Sequence, residues 1–75
     1  MQLVYEAYYK NLGQNIAFYR KRRRWTQMKL SELAKISRNH LSHIENADCA
    51  VSLDVIFAIA NALEVEPYKL FQEKD

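Results

Sequence analysis

Glycine and proline are nearly missing from this chain, with Gly13 and Pro67 the single examples in 75 residues. So thin a supply of turn formers, with apolar residues recurring at spacings of three and four, points to an all-helical chain with short connections. Cysteine is scarce too. Cys49 stands alone, which excludes an internal disulfide. No long apolar run and no secretory-signal pattern is present, so the expectation is a soluble, intracellular protein, with cytoplasm as the default compartment. Repeats, low-complexity tracts and interdomain linkers are also missing. A chain of this length makes one small domain, whose thin core suffices without metal or disulfides if its helices pack well.

Charge is present in quantity and unevenly placed. The net charge is +2, but residues 1–19 balance Lys10 against Glu6. Residues 20–38 set eight cations (Arg20, Lys21, Arg22, Arg23, Arg24, Lys29, Lys35 and Arg38) against Glu32 alone, for +7. Residues 39–75 set Lys69 and Lys74 against seven acids, for −5. A basic segment on an otherwise acidic body suits a polyanion-binding face. The plainer alternative is a solvated helix end favoured by the helix dipole. Consecutive helical residues spread around the axis, so residues 20–24 cannot all meet one phosphate strand.

Within residues 26–45, TQMKLSELAKISRNHLSHIE, two helix-start signals stand eleven residues apart. Thr26 is flanked by Trp25 before it and Leu30 four residues after, and Ser37 by Ile36 and Leu41 in the same places. Each is an N-cap with a hydrophobic staple: the hydroxyl satisfies an unpaired helix amide, and the apolar pair sets the angle of chain entry. Only a short helix and a tight turn fit between them, which is the layout of a helix-turn-helix. A third copy occurs at Val51, Ser52 and Ile56. The spacing predicts helices at about 27–34, with Leu30, Leu33 and Ala34 inward, and at about 38–45, with Leu41 and Ile44 inward. Arg38, Asn39, Ser42 and His43 then project outward, as groups suited to base edges.

The flanking segments complete a helical domain. Residues 3–23 carry an apolar stripe at Leu3 or Val4, Tyr5, Tyr8, Leu12, Ile16 and Tyr19, interrupted by Gly13. Either one long helix crosses Gly13, or a Tyr-rich helical arm at 1–11 precedes a helix starting near Leu12. A helix at about 53–63 has a broad apolar face from Leu53, Ile56, Phe57, Ile59, Ala60 and Leu63, and Pro67 opens a last short helix bearing Tyr68, Leu70 and Phe71. Residues 72–75 form a tail. The aromatics Tyr5, Tyr8, Tyr9, Trp25, Phe57, Tyr68 and Phe71 read chiefly as core, with a surplus for a subunit interface.

From Leu12 to Phe71 the pieces LGQNIAFYRKR, WTQMKLSELA, ISRNHLSHIENA and SLDVIFAIANALEVEPYKLF resemble, in order and spacing, the lambda-repressor-like, Cro-type (XRE-type) helix-turn-helix family. The resemblance implies a five-helix fold, preceded here by the Tyr-rich extension. It implies binding to double-stranded DNA, as a homodimer on an inverted repeat, by a non-enzymatic transcriptional regulator. Arg38, Asn39, Ser42 and His43 match base-reading positions. Gln27 matches the family's Gln at the start of the second helix, where side chain and amide approach phosphate; Thr26, Lys29, Ser37 and His40 are the further phosphate candidates, and Arg20 with Glu45 matches a pair joining the first helix to the end of the recognition helix. Phe57, Tyr68 and Phe71 are candidates for the dimer interface, with the Tyr-rich arm as the other. The chain departs from the family where Arg24, Lys35, Ala47 and Glu64 replace glycine and Ser31 replaces alanine. At the four glycine positions the backbone either accepts about 1 kcal/mol of left-handed strain or turns differently.

Other chemistries fit less well. His40, His43 and Cys49 lack the fourth ligand of a structural zinc site, so no metal or other cofactor is expected. Ser42, His43 and Glu45 share one helix and cannot form a hydrolase relay. A nuclear-localisation reading of residues 20–24 is a weak motif match. No added sensing domain points to a small-molecule effector. Within the same class a phage repressor, a restriction–modification controller and an antitoxin component remain open. From another class, a protein-interaction module would use the acidic half and the aromatic surface.

Overall fold

A computed structural model of the protein describes residues 4–73, and the expected arm at 1–11 and tail at 72–75 fall partly outside them. Among the described residues the chain forms four α-helices, α1 (Glu6–Arg22), α2 (Gln27–Ala34), α3 (Arg38–Glu45) and α4 (Leu53–Leu63), followed by a 3-10 turn, Pro67–Leu70. No strand occurs among them. The fifth helix expected from the sequence is therefore a single 3-10 turn. Proline pre-sets its entry, but Glu66 gives no side-chain cap and four residues are too few to nucleate an α-helix.

The three hydroxyl caps start their helices as the spacing requires. The amides of Lys29, His40 and Val55 donate to Thr26 Oγ1, Ser37 Oγ and Ser52 Oγ at 3.0, 2.9 and 3.2 Å. Helix ends are equally uniform. Arg24, Lys35, Ala47 and Glu64 all adopt the left-handed conformation, with φ between 58 and 60°. After each of them the next amide bonds back five residues: Trp25 to Arg20, Ile36 to Ser31, Asp48 to His43 and Val65 to Ala60. This closure is the one glycine ordinarily serves, so the four departures accept strain and keep the turn.

Helix α1 runs unbroken through Gly13. A Cβ there would lie 2.5 Å from the Glu45 carbonyl oxygen and 2.6 Å from that of Ile44, so glycine permits the closest approach of α1 to the end of α3. The core is a single cluster built from Leu12, Ile16, Leu30, Leu41, Ile44, Ile59, Leu63 and Leu70, with Ala34, Ile56 and Ala60. Asn15 sits inside it at 1% exposure, donating to the carbonyls of Leu70 and Gln72 at 2.8 and 2.7 Å. Asn11 reaches the carbonyl of Phe71. These amides tie α1 to the 3-10 turn, whose last carbonyls would otherwise be unpaired.

Several residues expected inside lie outside. Leu33 is exposed because Leu30, Ser31 and Ala34 take the inward face of so short a helix, and Leu53 opens α4 on its solvent side. Tyr5, Tyr8, Phe57, Tyr68 and Phe71 are all exposed, while Tyr9 is half-buried and Trp25 packs on the core. Aliphatic side chains fill the small interior, leaving the larger rings at its margin.

Candidate nucleic-acid interface

Helix α3 divides into two faces. Leu41 and Ile44 are buried, one turn apart, while Arg38, Asn39 and His43 stand exposed and Ser42 and His40 are half-buried beside them. The cap at Ser37 positions the first turn, and the buried pair fixes the helix's rotation, so the polar row faces away from the core.

The far end of α3 is held by Arg20. Its Nε donates to Glu45 Oε2 at 2.8 Å, its Nη2 to Glu45 Oε1 at 3.0 Å, and its Nη1 to the Trp25 carbonyl at 2.8 Å. The two side chains are only 11% and 6% exposed. A paired, hydrogen-bonded fork of this kind is costly to break from one side, because the remaining charge stays buried. Gln27 adds a donor to Glu45 Oε1 at 3.1 Å, which no sequence signal indicated. One carboxylate thus joins α1, α2 and α3.

Around this frame, Thr26 and Lys29 are exposed at the start of α2, and Ser37 at the start of α3. The basic run 20–24 splits. Arg20 turns inward, Arg22 lies 5.6 Å from the Phe18 ring centre, and Arg23 lies 4.9 Å from that of Trp25 while pairing with Glu64 at 3.1 Å. Lys21 and Arg24 are exposed. At the tip of the polar row, Arg38 Nη2 donates to Asn39 Oδ1 at 3.0 Å. His43 Nδ1 stands 3.6 Å from Asp48 Oδ2, and both are more than half exposed. Partial burial, then the neighbouring charge of Asp48, pushes the Cys49 thiol upward and away from its reactive thiolate form.

A cleft of about 340 Å³ opens between the C-terminal ends of α1 and α4, edged by Arg22, Arg23 and Lys69. No residue of α3 and no histidine, serine or cysteine lines it. Among the described residues no cluster of three metal-ligating side chains occurs, and no helix is long and apolar enough to cross a membrane.

Two capped helices joined by a tight turn, with the second presenting an outward polar row, match a family model described as helix-turn-helix over residues 16–70. The chain belongs to this helix-turn-helix family. Similar relatives are named as repressors. The immunity repressor protein of Bacillus phage phi105 is 40% identical over 55 residues, which is 73% of this chain and 38% of that protein. This helix-turn-helix chain thus spans well under half of that repressor's length. Among solved structures, the restriction-modification controller protein C.AhdI of Aeromonas hydrophila superimposes with a TM-score of 0.84 at 31% identity, covering 87% of this chain and 98% of the controller. The N-terminal DNA binding domain of SinR from Bacillus subtilis gives 0.78 at 30% identity, covering 84% and 93%.

Proposed function

We propose that this protein is a sequence-specific, double-stranded-DNA-binding transcriptional regulator that lays α3 in the major groove. The observation carrying this reading is the division of α3 into a buried pair and an exposed polar row at the end of a capped helix. Arg38 and Asn39 offer the paired hydrogen bonds that guanine and adenine take, and Ser42 and His43 follow one turn on.

Phosphates fall to the starts of α2 and α3. Thr26, Lys29, Ser37 and His40 supply side chains there, and Gln27 supplies its main-chain N–H, which lacks an intrahelical partner at the first helical position. One N–H of the Gln27 side chain steadies Glu45, and the other is left for phosphate. Phosphate contact by Lys29 gives a distinct signature: Lys29→Ala weakens binding to every sequence alike and lowers the salt slope by about one. An unchanged slope would remove Lys29 from the set.

A single short recognition helix reads few base pairs, so the working form is a homodimer on an inverted repeat, joined through the exposed Phe57, Tyr68 and Phe71. No cofactor or small-molecule effector enters the reading, and its place of action is the cytoplasm. In-vitro selection from a random DNA library, with the protein's mass measured in solution, tests the proposal. The expected result is an enriched inverted repeat bound by a dimer; a library returned without enrichment would sink it.

A further inference from the structure

We infer that Arg38 and Asn39 read DNA as one unit, with Arg38 fixing which way round the Asn39 amide meets the base edge. The inference rests on the DNA-binding reading above. Its basis is the 3.0 Å bond from Arg38 Nη2 to Asn39 Oδ1, made between two exposed side chains at the tip of α3.

An amide has two ends of nearly equal shape, one an acceptor and one a donor. Left free, the Asn39 side chain exchanges them by half a turn about its terminal torsion. The bond from Arg38 removes that freedom, holding Oδ1 toward the guanidinium and Nδ2 away from it. Nothing needed for reading is used up: Oδ1 keeps a second lone pair, and the guanidinium keeps four of its five N–H donors. Adenine presents its N6 donor and N7 acceptor in a fixed order, and reversing the base pair reverses that order in the groove. Reversal also puts thymine's O4 and C5-methyl where N6 and N7 stood, so a rotating amide recovers one bond, from Nδ2 to O4, and an amide of fixed polarity recovers none. Arg38 therefore supplies discrimination at two base pairs, its own and that of Asn39.

The charge of Arg38 is also left available. Among the described residues no carboxylate pairs with it, and its partner Asn39 is neutral. The guanidinium is thus ordered without being neutralised, unlike Arg20 and Arg23, whose charges are answered by Glu45 and Glu64.

The test measures affinities of the wild type, Arg38→Ala, Asn39→Ala and the double variant for the selected site and all its single-base-pair substitutions, with thermal melting of each protein. Both positions are on the surface, so melting should barely change. Arg38→Ala is expected to lose roughly 5- to 150-fold discrimination at one base pair, and at the neighbouring pair to lose part of its preference for A·T over T·A. The double variant should fall short of the product of the two single effects. If Arg38→Ala keeps the full A·T over T·A preference at the neighbouring pair and the effects multiply, the unit does not exist. A wild type that enriches no site would overturn the DNA reading itself, and the inference with it.

Discussion

At the scale of single residues, backbone geometry at five positions decides more than side-chain chemistry. Gly13 lies in mid-helix, where alanine is intrinsically better by about 1 kcal/mol. The obstacle to a Cβ is the backbone of Ile44 and Glu45 at about 2.5 Å, which cannot swing aside as a side chain would. Overpacking of about 1–3 kcal/mol outweighs the helix gain, so Gly13→Ala should destabilise the fold on chemical denaturation. A stabilised Gly13→Ala would mean that α1 and α3 part easily. Lys35 carries the opposite sign. It holds φ at 60° and its side chain is exposed, so Lys35→Gly relieves strain without removing a contact. The expected gain is about 1 kcal/mol, read as a melting temperature raised by roughly 4–8 °C in a domain of this size. The four left-handed positions were visible in the sequence only as places where glycine is usual. Nothing in the residues themselves said that the turn would be kept, because lysine, arginine, glutamate and alanine carry no turn signal of their own.

Individual elements were legible where the signal is local, and less so where it depends on what lies opposite. The caps at Thr26, Ser37 and Ser52 are local: a hydroxyl, an apolar neighbour before it and another four residues later specify a helix start regardless of tertiary context, and all three form. The bounds of α2, α3 and α4 followed from them. The tie from Asn15 to the 3-10 turn is not local, since it spans 55 residues and an asparagine on an apolar stripe gives no hint of its partner. The bond from Gln27 is equally non-local: its position suggests phosphate, and nothing near it in the chain says that its side chain also donates to Glu45, 18 residues away. The caps provide a paired experiment. Ser37→Ala and Ser52→Ala each remove one N-cap bond and should each cost about 1 kcal/mol of stability. Only Ser37 starts the helix carrying the polar row. Ser37→Ala should therefore weaken DNA binding well below the melting transition, while Ser52→Ala, equally destabilised, leaves affinity near that of the wild type. Equal losses of affinity would trace the effect to global stability and detach Ser37 from the interface.

The whole molecule sets a limit that no element reveals. The described residues extend 29 Å along their longest axis and hold one outward-facing helix of this kind, whereas matched half-sites on one face of B-DNA lie about 34 Å apart. One copy, with one recognition helix, cannot span them. Two copies can, provided a surface exists to join them and lies away from the polar row of α3. Phe57, Tyr68 and Phe71 are the proposed surface: they are 49, 58 and 48% exposed, they come from α4 and the 3-10 turn with its C-cap, and Leu53, one helical turn before Phe57, is exposed as well. A standard interface of about 800 Å² per partner would occupy roughly 15% of the 5246 Å² surface. Tyr5 and Tyr8, whose rings stand 6.1 Å apart at the start of α1, form the rival patch. A charge placed in the true interface must be desolvated on association, so Phe57→Glu should convert a dimer to a monomer in sedimentation or light scattering. Its affinity for the full inverted repeat should fall to near that for an isolated half-site, with half-site binding and the melting temperature little changed because Phe57 is already half in water. Tyr8→Glu should do none of this. If the two variants exchange behaviours, the arm joins the copies and the α4 surface is free. If neither changes the mass, assembly uses a third surface and the spacing of the half-sites must be explained from there.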